Sequence, residues 1–226
     1  MSQSPTDTAD AEQMRRYLAG WTALRRLIDE GKSISGRERH CCFLNVGNSR
    51  FANVSAVTGL DFIDDGRAVG LVDWDHDGDV DIWITNRTSP AVRFLRNDFN
   101  TGNHFVSLRL VGRDCNRDAI GARVELYTGS DKRPSAVKTL RAGNGFLAQS
   151  SKWLIFGLRK VEQIDRVVVH WPGGKAETFR GLDVDARFQL VQGSGQPVRE
   201  PTRKRVEWVS SEPPTPPTGS AFRIVT

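Results

Sequence analysis

This sequence predicts a mainly β protein with one N-terminal helix, and three observations predict it. Through the second half, apolar residues alternate with polar ones in short runs: Val106, Leu108 and Leu110; Ala122, Val124 and Leu126; Leu154, Phe156 and Leu158; Val167, Val169 and Trp171. A period of two repeated in short runs with turn signals between them points to an antiparallel sandwich or barrel. Helical spacing lies in the stretch from Asp10 to Glu30. Between these two regions an acidic loop is bracketed by β-formers, Val69 and Leu71 before it and Ile82 and Ile84 after it, so it is expected to join two strands.

In chain order, residues 1–9 are polar and read as disordered. The helix follows, with Met14, Tyr17, Leu18, Trp21, Leu24, Leu27 and Ile28 on one face, Asp10 placed to cap it and Gly31 to end it. Gly20 weakens its middle by up to about 1 kcal/mol, so the helix is expected to dock its apolar face. A polar connector closes this first segment, 1–40. Cys42-Phe43-Leu44-Asn45 reads as a short buried strand with a Gly47-Asn48 turn after it, and Phe51, Val54 and Val57 form the next apolar set. Phe94-Leu95-Arg96-Asn97 echoes Phe43-Leu44-Asn45 about fifty positions on, a spacing found in propeller-type repeats. The unit 41–102 is thus expected to be blade-like, and 103–193 to be the β-domain. Within the latter, Pro172-Gly173-Gly174 predicts a turn with Lys175 to Phe179 as the returning strand. From 194 to 226 Gly, Pro and charge dominate, and the run Pro213-Pro214-Thr215-Pro216-Pro217 marks a Pro-rich tail.

Composition excludes several classes. At 226 residues with 38% hydrophobic and 26% charged side chains, the chain can bury a core. It contains no apolar run of about 18 residues, so no membrane-spanning helix is expected. The Met1–Asp10 stretch has neither a basic n-region nor an apolar h-region, and as it stands the chain is read as carrying no signal peptide. Cys41, Cys42 and Cys115 lack metal spacing and are expected to be reduced structural thiols, although one bridge from Cys115 is possible. The net charge of +5 hides an asymmetry. Residues 41–100 carry 5 basic and 9 acidic side chains, and 101–193 carry 15 and 9. Because those Lys and Arg alternate with acids along strands instead of clustering, solvated strand faces are expected and nucleic acid is not.

The acidic loop is Asp73-Trp74-Asp75-His76-Asp77-Gly78-Asp79-Val80-Asp81. Its alternation lets Asp73, Asp75, Asp77 and Asp81 aim carboxylates at one point while Asp79 offers its backbone carbonyl, and Gly78 permits the sharp turn. Flexible, hard oxygen donors suit Ca²⁺, which takes about 6–8 ligands at about 2.3–2.6 Å. Without a cation, carboxylates so crowded would repel one another. The spacing follows an EF-hand loop for nine positions, but Ile84 stands where that motif requires a bidentate Glu.

Two resemblances join here. Arg67-Ala68-Val69 through the aspartate loop to Asp81-Ile82-Trp83 resembles an FG-GAP/VCBS repeat, the blade unit of integrin-α-like propellers. Asn103-His104-Phe105-Val106, the segment Asn116 to Val124, and the segment Arg141 to Ser151 resemble the ASPIC/UnbV domain. Phe156-Gly157-Leu158, Asp165-Arg166-Val167 and Trp171-Pro172-Gly173-Gly174 continue that pattern. The whole is similar to the C-terminal part of cartilage-acidic-protein-like (CRTAC-type) proteins. The resemblance implies a calcium-loaded repeat followed by a β-domain in a secreted or surface binding protein, with Asp73, Asp75, Asp77, Asp79 and Asp81 as the calcium positions. One repeat stands where a closed propeller needs several. The chain is therefore read as part of a multi-repeat propeller or as a blade capping the β-domain.

Candidate catalytic residues have ordinary explanations. His170 alternates outward from Val169 and Trp171, and His76 sits at the loop tip. Ser150 and Ser151 lack the strand–turn–helix context of a nucleophile elbow. Cys41 and Cys42 lie among Arg37, Arg39 and His40 but precede an apolar run that suggests burial. Arg141-Ala142-Gly143-Asn144-Gly145 reads as a loop with left-handed positions rather than an anion cradle, since no helix start follows. The expectation is a non-enzymatic, calcium-binding binding, adhesion or scaffold module for a protein or glycan. The alternative is an accessory domain of a biosynthetic or hydrolytic enzyme with its chemistry elsewhere.

Overall fold

The structure is a computed structural model that describes residues 11–30, 32, 39–87, 89–99, 101–129, 132–201 and 222–225. It is mainly β, and four sheets hold nearly all its regular structure.

Two of these sheets form a sandwich. Strands β6 (His104–Val111), β9 (Trp153–Arg159), β12 (Ala186–Val191) and β13 (Pro197–Arg199) make one sheet, in the order β13-β12-β6-β9. Strands β7 (Arg123–Tyr127), β8 (Ala136–Thr139), β10 (Arg166–His170) and β11 (Ala176–Phe179) make the other, in the order β11-β10-β7-β8. The alternating positions meet between them: Val106, Leu108, Leu126, Val124, Phe156, Val167, Val169, Phe179 and Leu190 are all essentially inaccessible to solvent in one core. Each such side chain contributes about 1.5–3 kcal/mol by leaving water, which makes this core the main stabilising mass of the chain. The Pro172–Gly174 turn is present, with Gly173 at φ +67°, and it pairs Val167 with Phe179. Neither sheet closes into a barrel. One pairing departs from the antiparallel expectation, because β12 runs parallel to β6 from Ala186↔Val106 to Val191↔Val111. Alternation reports which face is buried but not strand direction, so the sequence held no sign of it.

The remaining strands form a smaller unit. A two-stranded hairpin, β1 (Phe43–Gly47) with β2 (Arg50–Asn53), turns through Gly47, Asn48 and Ser49, all at positive φ. A short helix α2 (Ser55–Thr58) leads to the meander β3 (Gly66–Val72), β4 (Asp81–Asn86) and β5 (Val92–Asn97). The strand predicted at Cys42–Asn45 thus exists, but it is exposed rather than buried: Phe43 and Leu44 are 58% and 57% accessible. Its predicted echo at Phe94–Asn97 is the buried one, with Leu95 packed on Leu60 and Ile84. A two-stranded ribbon with no sheet across its face leaves its apolar residues in water.

Two other expectations are corrected. The N-terminal helix α1 (Ala11–Asp29) forms, but none of its residues is buried, and Leu18, Trp21, Leu27 and Ile28 stay exposed. Asp10 and Gly31 lie outside the described residues. The tail is not wholly structureless either. β13 extends the sandwich, and β14 (Phe222–Val225) pairs antiparallel with β5, giving a four-stranded sheet in the order β14-β5-β4-β3. The run Pro213–Pro217 lies outside the described residues. None of the described helices is long and apolar enough to cross a membrane.

Candidate metal centre

Strand β3 ends at Val72 and β4 begins at Asp81, so the loop must turn within the acidic stretch. It does so through two left-handed positions, His76 at φ +64° and Gly78 at φ +94°. A side chain at Gly78 would also meet the ring of Phe105 on β6. Glycine is needed there twice over, for its backbone angle and because the loop rests directly on the sandwich.

The turn gathers Asp73, Asp75 and Asp77 so that one carboxylate oxygen from each lies within 4.8 Å of the others. Asp73 and Asp75 are buried, and Asp77 opens to solvent. Both Asp73 oxygens are buried without a hydrogen-bond donor of ordinary geometry. Burial pushes its carboxyl up to about 6, with Asp77 and Asp75 adding to the rise. Arg187 on β12 and the Gly78 amide offset part of it. Asp77 is likewise pushed up to about 6, first by the protein packed around it and then by Asp75, Asp79 and Asp81, although its side chain reaches solvent. Burial also raises Asp79 and Asp81. Carboxylates gathered and partly buried in this way, with only partial compensation, favour a proton or a cation among them.

Asp81 has a second task. At 1% exposure it accepts the Trp74 N–H on Oδ2 and the Asn97 N–H on Oδ1, both at 2.8 Å. Its carboxylate therefore staples the loop entrance to the end of β5. Asp79 donates its N–H to Asp77 Oδ1 at 3.0 Å, an Asx-type contact that tightens the turn. Of the five predicted positions, the fold draws Asp73, Asp75 and Asp77 together most closely, with Asp79 and Asp81 framing them. The donor set is oxygen only, partly buried and only partly compensated, and it fits a hard cation such as Ca²⁺ better than a transition metal.

Arg187 was not legible as part of this site. It lies far along the chain, yet its charge acts on Asp73 while its guanidinium stacks over Trp153 at 4.1 Å. The aromatic setting was equally hidden. Trp83 stacks on Phe94 at 4.6 Å between centroids, and the half-exposed Trp74 meets both edge-on.

The other candidates are dispersed. His170 is exposed with Nε2 3.4 Å from Glu125 Oε2, and Tyr127 donates its hydroxyl to that same oxygen at 2.9 Å. Ser150 and Ser151 tie the sandwich to the smaller unit: Ser150 Oγ accepts the Leu71 N–H at 3.2 Å, and the Ser151 N–H donates to Leu71 O at 2.8 Å. Cys41, Cys42 and Cys115 are free thiols, and Cys41 is exposed where burial was expected.

Comparison with known proteins reaches only the sandwich. The family model described as ASPIC and UnbV matches residues 112–197, from the end of β6 to the start of β13. It takes in the Asn116–Val124 and Arg141–Ser151 segments and leaves out both Asn103–Val106 and the aspartate loop. No curated protein matches the chain.

Proposed function

We propose that this chain is a calcium-binding recognition module without catalytic activity of its own. In this reading Asp73, Asp75, Asp77, Asp79 and Asp81 hold one Ca²⁺, and the ion fixes a surface that captures a protein or glycan outside the cell or at its surface. The observation that carries it is Asp73, whose carboxylate is buried beside two further carboxylates and is offset only in part by the Gly78 amide and the charge of Arg187. The resemblance of the β3–loop–β4 unit to an FG-GAP/VCBS repeat, and of the whole to CRTAC-type proteins, supports the same assignment. A four-stranded β14-β5-β4-β3 sheet is what a propeller blade would offer to further repeats. When bound, Ca²⁺ would supply the positive charge that offsets the carboxylates, and the aspartate oxygens would coordinate it. The chain supplies the turn at Gly78, the staple at Asp81 and the seat on Phe105.

The reading is tested by probing immobilised glycans and candidate extracellular proteins with the purified chain in calcium and in chelator. Capture that requires calcium, with no substrate turnover, is the expected result. Calcium-independent capture, or turnover that depends on His170, would replace it with the enzyme-accessory alternative.

A further inference from the structure

A cavity of about 450 Å³ lies where the sandwich meets the smaller sheet, lined by residues next to the aspartate loop but by none of its aspartates. Its size falls in the range of small-ligand sites, about 300–1,000 Å³. Strands β8 and β9 are the edges of their sheets, so the sandwich is open between them. Lys138 on β8 stands in register with the fully buried Val124, which turns its side chain toward that opening. Its Nζ lies 5.5 Å from the centre of the Phe156 ring, against the sandwich core.

The charged groups lining the cavity are cationic, and Thr139 and Asn144 add groups that can both donate and accept. Lys138 and Arg141 are cations, and no acidic side chain lines it among the described residues. Ser150 Oγ accepts the Leu71 N–H, and Ser151 Oγ accepts the Trp153 N–H at 3.3 Å. Each hydroxyl thus spends an acceptor lone pair on the backbone and keeps its O–H to donate. Leu71, Val72 and Val80 add apolar side chains to the lining, Leu71 beside the two serines. Lys138 is an exposed residue at the edge of its sheet, and the protein packed around its ammonium lowers it below the ordinary lysine range.

We infer that this cleft binds an acidic sugar residue, its carboxylate or sulfate held by Lys138 and Arg141, its hydroxyls met by Ser150 and Ser151, and its C–H face against Val72 and Val80. A pyranose carries these three features on one ring: an anionic group, acceptor oxygens and an apolar face. The Arg141–Ser151 segment then does more than turn, and it acts through side chains rather than as a backbone cradle. Val72 precedes the aspartate loop and Val80 lies within it, so an ordered loop sets the wall of the cleft. The inference rests on the recognition-module reading and gives it a ligand class.

Calorimetric titration of the full chain in calcium tests it, with a digalacturonate, a galactose 6-sulfate, a neutral galactose disaccharide and inorganic phosphate as separate probes. The expected result is saturable binding of the uronate or the sulfate, weakened about tenfold or more in Lys138→Met and retained in Lys138→Arg, as loss of a charge-assisted hydrogen bond requires. If Lys138→Met does not fold, Arg141→Gln, an exposed loop substitution, carries the same expectation. Equal binding of the neutral sugar, full displacement by phosphate, or unchanged affinity in the variants would overturn it. A calcium titration of the same sample separates the two claims. Calcium uptake without sugar binding sinks the cleft alone, and sugar binding without calcium uptake sinks the metal reading alone.

Discussion

Asp73 holds a carboxylate out of water that the Gly78 amide and Arg187 offset only in part, and the behaviour of the loop follows from that one side chain and its neighbours. In the metal-free chain Asp73 and Asp77 sit at about 6 against an ordinary 3.8. Their folded pKa is raised, so their contribution favours folding below pH about 4 and is lost as pH rises through about 6. Calcium needs the ionised form. The rise in melting temperature on adding calcium should therefore be largest above pH about 6 and shrink as pH falls toward about 5; a shift that ignores pH would contradict the assignment. Asp75→Ala combined with Asp77→Ala should abolish the shift while leaving the metal-free melting temperature unchanged or higher, because repulsion is relieved. Asp81→Asn should behave differently. The amide keeps one acceptor oxygen for two backbone N–H groups, so the variant loses about 1–3 kcal/mol with or without calcium.

At the scale of elements, the sandwich strands were legible because each buries one face, and burial of one face writes a period of two into the sequence. The hairpin at Pro172–Gly174 was legible through its turn residues. What was missed lacks a local signature. The parallel β6–β12 pairing, the addition of Phe222–Val225 to β5 and the charge of Arg187 beside Asp73 all join residues far apart in sequence. The burial of Phe43 and Leu44 was misjudged because a short apolar run reads the same on a packed strand and on a free ribbon. The β14–β5 pairing carries its own prediction. Removing residues 222–226 should unpair the β5 edge from Phe94 to Asn97, and hydrogen exchange should lose protection there and not in β6 or β12. Unchanged protection in β5 would show that the pairing does not hold.

Across the whole molecule, stability and recognition are carried by different parts. The sandwich owns the large continuous core, so Phe156→Ala there should cost about 3–5 kcal/mol in chemical denaturation. The smaller unit has four buried apolar side chains, Leu60, Ile84, Phe94 and Leu95, and many exposed ones, so residues 41–102 expressed alone should not give a dispersed amide spectrum, whereas residues 103–201 should. Gly78 joins the two through Phe105. Gly78→Ala should lower stability by more than about 1 kcal/mol, because it combines a strained backbone with a steric overlap.

The central claim is that the aspartate loop is a calcium site, and calorimetric titration of the metal-free full chain tests it most directly. One saturable site is predicted, with stabilisation of about 2.7 kcal/mol at a calcium concentration a hundred times the dissociation constant. A titration with no heat of binding, together with a melting temperature that calcium does not move, would contradict it.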